Sequence, residues 1–470
     1  MFVNPFLLPF IGLCILLWTG HMLRVRIRLL QKLYLPSAVI GGLVGLVVIQ
    51  LAQASGHPVP SAWIHGWEDL PGFLINIVFA CLFLGVTLPK LSTVWQRSAP
   101  QLAYGQMVAW GQYLVGIGLF LAFIHVFWPE LPAMFGAIMP VGFEGGHGTA
   151  GGLAPTFDKL NWKAGKDFAL ASATAGILGA VVFGIMLINW AARRGYTHKL
   201  MDTGDVPEDD TIGIIPVDRR PVAGRLSVKS DAIDALTLHL SIIGLAVFIG
   251  FLIKEGLVLA GEVSQPLFTI ATHNKLMILL GSFPLFPLCM MGGLVIQLFE
   301  DRYDTHKIID IGLTRRLQNL SLDLLIVAAI STIRIEALST GLAPFFIVVA
   351  AGIAWNIFCV MVLAKRMLPD AWFERAIAEM GQSMGVTATG LLLLRVVDPE
   401  YESPATDAFA YKQLLHEPIM GGGLWTSMAI PLLGMGSVIM PKIVLGISAG
   451  AVVFWILVAS MLARGRKKKE

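Results

Sequence analysis

The chain has little charge. Only 14% of its 470 residues are Asp, Glu, Lys or Arg, whereas 56% are hydrophobic, and the mean hydropathy is +0.74. An ordinary soluble domain, about a quarter charged, is therefore excluded. Cysteine is scarce as well. Cys14, Cys81, Cys289 and Cys359 each fall inside an apolar stretch, without paired or metal-ligand spacing. That argues against a disulfide framework or a zinc site and leaves them as small core residues. The chain has no HExxH motif and no paired catalytic aspartates in facing spans, so nothing marks a metalloprotease or aspartyl type of intramembrane enzyme. A basic leader is also missing: Arg24, Arg26, Arg28 and Lys32 follow the first apolar run instead of preceding it. A cleavable signal is not expected. The basic tail, 464–470, directly follows an apolar run and reads as a topology signal rather than a nucleic-acid patch.

What the chain does have is apolar runs of spanning length, about 20 residues each. Eleven are expected, at 5–23, 36–53, 71–90, 102–128, 168–192, 232–253, 276–298, 318–338, 342–364, 414–435 and 442–463. With the N-terminus outside, 27 of the 34 Lys and Arg fall on the cytoplasmic side, the bias expected of an N-out, C-in protein. Five spans per half would make a duplicated unit enter the membrane inverted. Residues 36–44 and 287–295 share Pro-x4-Gly-Gly-Leu-Val, an internal repeat. The expected fold is an all-α membrane protein: two inverted five-helix repeats, each with a re-entrant hairpin, plus one extra C-terminal helix. The parts are a first repeat at 1–196 with its hairpin at 133–157, and a cytoplasmic linker at 197–230. A second repeat follows at 231–437 with its hairpin at 374–396, and the extra helix and basic tail occupy 438–470.

The hairpins are read from glycine. Residues 142–152 run Gly-Phe-Glu-Gly-Gly-His-Gly-Thr-Ala-Gly-Gly, and 381–390 run Gly-Gln-Ser-Met-Gly-Val-Thr-Ala-Thr-Gly. Each glycine costs a helix about 1 kcal/mol against alanine, and bare non-helical backbone survives at membrane depth only when buried or lining a cavity. Two such breaks in matching halves point to a transporter's binding site. One hairpin would dip from outside and the other from the cytoplasm, their tips meeting near the midplane. Half-helix N-termini there suit a carboxylate, and carbonyls and hydroxyls suit a small cation. A tight-packing role for the same small residues is the alternative.

Gly-Gly-His-Gly-Thr at 145–149 and Gly-Val-Thr-Ala-Thr at 385–389 resemble the sodium:glutamate symporter family, and the oppositely oriented halves match as well. The family is similar in architecture to the 2-hydroxycarboxylate transporters. The resemblance implies a homodimer in the bacterial cytoplasmic (inner) membrane that moves a hairpin-bearing domain, elevator-like, past a scaffold. It also implies glutamate or a related carboxylate as substrate, sodium as the coupling ion, membrane lipid as surroundings, and no cofactor. The chain departs from the family at Ala388, where a proline is usual, and at Leu391–Leu394 and Arg395, where an Ala-Asn pair would stand. Thr426 holds a usually acidic position, with Glu417 just before that stretch.

Gly145, Gly146, His147, Gly148, Thr149, Gly385, Thr387, Thr389 and Arg334 are the candidate substrate-binding residues. Arg334 enters as a bidentate partner for a carboxylate, unless it pairs with Glu336 at the membrane interface. Glu144, Thr149, Asp323, Ser383 and Thr387 are the candidate cation ligands. An intramembrane acid such as Asp323 is costly without a function, and Asn76 takes the corresponding place in the first half. No other metal site is expected. Glu144, His147 and Glu417 leave a proton-coupled carboxylate transporter open, and a passive holin-like channel is the other alternative.

Overall fold

The computed structural model describes residues 7–33, 35–87, 89–197, 212–264, 270–339, 341–398 and 402–467, and these contain helices and no strand. The acidic part of the expected linker, 202–210, the last three tail residues and the first two residues of the first expected span lie outside them. The first half holds α1 (Leu7–Arg26), α2 (Ser37–Ala54), α3 (Ser61–Ala80), α4 (Leu91–Phe127), α5 (Ile138–Gly152), α6 (Ala154–Lys159) and α7 (Ala164–Arg193). The second half begins with α8 (Ala235–Val263), α9 (Ile270–Ser282), α10 (Phe286–Tyr303), α11 (Ile311–Ser331) and α12 (Leu342–Met367). It continues through α13 (Trp372–Met384), α14 (Thr387–Val397), α15 (Ala405–His416), α16 (Leu424–Gly434) and α17 (Met440–Lys467).

Seven described helices, α1, α2, α4, α7, α8, α12 and α17, are long and apolar enough to cross a membrane; α9 and α10, bent by 66° at their junction, make an eighth as a pair. The other three expected spans differ for local reasons. α3 carries His65, Glu68, Asp69 and Asn76, and α11 carries Arg315, Arg316 and Asp323. The expected span 414–435 is two helices, α15 and α16, separated by residues 417–423. Apolar side chains such as Val47, Val48, Leu51, Phe248, Phe299 and Val453 are exposed along the helix surfaces, as suits a lipid-facing exterior. Three cysteines are buried, but Cys14 lies on the exposed face of α1.

The helices sort into two groups by what they touch. In one, α1 packs on α2, α2 on α11, α11 on α3, α3 on α10 and α10 on α8. In the other, α4 is the hub: α5, α12, α15 and α17 pack against it, α5 and α13 lie on α7, and α14 lies on α13. α5 joins the groups by resting on α3 and α11. The shared Gly-Gly pairs sit at the tightest crossings of the first group. A Cβ on Gly41 would lie 2.4 Å from the Leu16 carbonyl of α1, and one on Gly292 would lie 2.1 Å from the Ala246 carbonyl of α8. Their neighbours Gly42 and Gly293 face Ile330 of α11 and Ala80 of α3, at 2.7 and 2.2 Å. No side chain fits in either place. In the second group, π-helical turns at Phe120–Ile124 and Cys359–Leu363 are separated by 239 residues, as are the glycines Gly146 and Gly385.

Candidate functional site

Both glycine segments are broken, and the breaks abut. Within α5 the helix is interrupted at Gly146, with φ 63° and ψ −170°, a conformation open essentially to glycine alone. Between α13 and α14 the chain leaves the helical region at Gly385 (φ −140°, ψ −107°) and Val386 (φ −145°, ψ 164°). A Cβ on Gly146 would lie 3.4 Å from Val386 Cγ1 and 3.6 Å from the Gly385 carbonyl oxygen. The chain folds back on itself around the second break: a Cβ on Gly381 would come within 2.7 Å of Gly390 Cα. Small residues on both sides of the break permit that approach.

Behind the breaks lies a buried polar cluster. Glu144 of α5 accepts at Oε2 from His416 Nε2 and Gln382 Nε2, each at 3.2 Å. Gln106 Nε2 donates to His416 Nδ1 at 3.3 Å, and Trp110 Nε1 donates to Gln106 Oε1 at 3.1 Å. A histidine that accepts at Nδ1 and donates at Nε2 is the neutral imidazole. Lys412 Nζ donates to Glu379 Oε1 at 2.6 Å, and to Gln382 Oε1 and Gln413 Oε1, each at 3.0 Å. The other oxygen of Glu379 accepts from Gln101 Nε2 at 2.8 Å. Gln413 Nε2 donates to Thr387 Oγ1 at 2.6 Å, and that hydroxyl donates to Glu417 Oε1, also at 2.6 Å. The cluster holds three carboxyl groups (Glu144 and Glu379 buried, Glu417 half-buried) against one ammonium and a neutral imidazole. A buried carboxyl without a cationic partner is tolerated either protonated or with a bound cation.

Three buried oxygens around the first break have no hydrogen-bond partner: Glu144 Oε1, Ser383 Oγ and Thr149 Oγ1. The Ser383 hydroxyl approaches the Glu144 carboxyl without reaching full hydrogen-bond geometry. Thr149 Oγ1 lies beside Gly422, where a Cβ would come within 2.1 Å. Carboxylate and hydroxyl oxygens are hard ligands suited to a small cation such as sodium.

The remaining sequence candidates are spread more widely. His147 is buried, with Nε2 donating to Thr174 Oγ1 at 2.9 Å; that hydroxyl in turn donates to the Leu170 carbonyl. Gly145 stands over Thr149, Gly148 faces Ile75 and Leu322, and Thr389 Oγ1 is near Gly385. Asp323 lies on an exposed strip of α11 with Asn319 and Leu320. Arg334 goes elsewhere. Its Nε and Nη2 donate to Asp167 Oδ2 at 3.1 and 2.8 Å, and its backbone N–H donates to Oδ1 at 3.1 Å. Neither the tips nor Glu336 takes these bonds. Arg334 lines an open cavity of about 310 Å³ with Glu68 and Asp69 of α3, Asp158 of α6, and Lys163 and Lys166 at the start of α7.

Sequence reasoning missed Lys412, Glu379, Gln382, Gln413, Gln101, Gln106 and Asp167. Lys412 and Arg375 are two of the 27 basic residues that the expected topology places on the cytoplasmic side, but both are buried. α15 begins nine residues before the expected span and carries Lys412 inside. The available signal was helical spacing: Glu379, Gln382 and Ser383 share one face of α13, as Lys412 and His416 do on α15.

The family model described as Sodium/glutamate symporter matches residues 7–403, most of the chain. No curated protein matches it.

Proposed function

The chain belongs to the sodium/glutamate symporter family, a family of multi-pass membrane transporters, and we propose that it couples inward movement of sodium to uptake of glutamate or a closely related carboxylate. The observation that carries this is the meeting of the Gly146 and Gly385–Val386 breaks, with Glu144 and Ser383 beside them leaving buried oxygens unpartnered. The cation would be held by Glu144, Ser383 and Thr149, with Thr387 and Glu417 alongside. The substrate carboxylate would meet the N–H groups freed at the breaks, at Gly146 to Gly148 and Gly385 to Thr387, with His147 and Thr389 close by. Coupling would follow because an ionised Glu144 beside the breaks repels a carboxylate until a cation neutralises it.

Two inverted repeats are part of the same reading. The Gly41–Gly42 and Gly292–Gly293 crossings support them, each pair touching first its own half's leading helix (α1 or α8) and then a helix of the other half, α11 for Gly42 and α3 for Gly293. The constant separation of 239 residues between π turns and between breaks also supports them. Glu144 and Ser383 have the same separation, so the two would be one position seen twice. In transport, the group around α4 would shift against the group around α3 and α11, and the protein would work as a homodimer in the bacterial cytoplasmic membrane. Residues 197–230 would link the repeats and α17 would stand outside them.

Proteoliposomes given an inward sodium gradient should accumulate radiolabelled glutamate, and a proton gradient alone should not drive it. Accumulation indifferent to every cation gradient would overturn the proposal. The buried His416–Glu144 contact of 3.2 Å favours proton coupling as a second reading; uptake driven by the proton gradient alone would select it.

A further inference from the structure

The Lys412 side chain lies in surroundings that a free cation could also occupy. Its ammonium and the Glu379 carboxylate are both wholly buried. Three side-chain oxygens, Glu379 Oε1, Gln382 Oε1 and Gln413 Oε1, surround Nζ at 2.6 to 3.0 Å, so each of its three protons has an acceptor. The Phe409 ring centroid lies 5.7 Å from Nζ, within cation–π range. α4 makes room for the group with Gly105, where a Cβ would come within 2.4 Å of Glu379 Oε1 and 2.6 Å of Lys412 Cε.

The two glutamines give this arrangement a direction. A carboxamide has one accepting end and one donating end. The ammonium takes the accepting ends of Gln382 and Gln413, so their NH2 groups turn outward. Gln382 then donates to Glu144, beside the first break, and Gln413 donates to Thr387, at the second. One positive charge thereby sets the polarity of both amides that reach the breaks.

We propose that the Lys412 ammonium is a resident cation: it fills an oxygen-lined cation position between α13 and α15, so that this position takes no ion from solution while Gln382 and Gln413 stay aimed at the two breaks. The proposal deepens the cation-coupled reading above and rests on it for its functional meaning. Its test needs no transport, so the two can fail separately.

Purified protein in detergent is melted across a sodium chloride series, with choline chloride at equal ionic strength as the control. Any sodium-dependent rise in Tm of the unaltered protein is the baseline. Lys412→Ala exposes the carboxylate and the two amide oxygens, so its Tm should rise further with sodium than the baseline does, and saturably. Adding Glu379→Gln removes the charge from the vacated position, and Lys412→Ala/Glu379→Gln should return to the baseline rise. Recovery of folded Lys412→Ala only in sodium supports the proposal equally. A sodium response of Lys412→Ala no greater than the baseline overturns it. So does aggregation of that variant at every sodium concentration while the double variant folds. Failure of the double variant to fold would mark the pair as a structural strut and overturn the proposal as well.

Discussion

Replacing Arg334 with alanine removes two of the three hydrogen bonds that hold the Asp167 carboxylate. Asp167 is fully buried at its side chain, whereas Arg334 is 43% exposed. Hydrogen bonds to charged groups contribute about 1.5–3 kcal/mol each, and breaking a buried pair from one side costs about 3–5 kcal/mol. The Arg334 N–H survives the substitution, and water can enter where the guanidinium was, so we expect a net loss of about 2 kcal/mol. Unfolding by SDS titration in mixed micelles measures it, and Asp167→Asn with the double variant completes a cycle. A coupling of about 1–2 kcal/mol is expected. Agreement of the double variant with the sum of the singles within about 0.5 kcal/mol would refute the reasoning and make the contact a passive surface pair. The pair ties α7, in one helix group, to the segment that follows α11 in the other. A coupling of the predicted size would thus measure part of what holds the two groups in this arrangement.

Gly146→Ala should abolish glutamate uptake in proteoliposomes without impairing membrane insertion, because a side chain there costs about 1–3 kcal/mol of backbone strain. Gly148→Ala should retain most of the uptake, since its Cβ would meet only the Ile75 Cδ1 tip at 3.2 Å and Leu322 Cδ1 at 3.5 Å; equal activity of the two variants would count against the break as the critical feature. Gly105→Ala should destabilise the protein by about 1–3 kcal/mol through overpacking against Glu379 and Lys412. Gly118→Ala on the same helix, 3.8 Å from Leu445, should gain up to about 1 kcal/mol of helix propensity. Indistinguishable stabilities for these two would mean that the Glu379–Lys412 packing is loose.

The two breaks were legible because dense glycine is a local signal: no helix needs Gly145, Gly146 and Gly148 together. The paired Gly-Gly landmarks were legible for the same reason, since a crossing too tight for a side chain leaves its mark at one position. The polar cluster was legible only where it touches the glycines, at Glu144, Thr149, Ser383 and Thr387. Lys412 stands before the apolar run that defined its expected span, so its charge read as a loop charge. Its partner Glu379 is 33 residues away, and nothing local to either residue announces the other. Arg334 shows the same limit from the other side. Its nearest acid in sequence is Glu336, but the fold delivers Asp167 from 167 residues earlier. Pairings made by packing do not show in local sequence; breaks made by backbone geometry do.

The bridging glutamines also limit how the group can be changed. Lys412, Glu379, Gln382 and Gln413 share their protons so completely that replacing any one strands a buried partner, at a cost of about 1–3 kcal/mol. Substitutions within such a group are therefore energetically coupled: loss of the lysine weighs least where the glutamate is changed with it or an ion takes the vacated place.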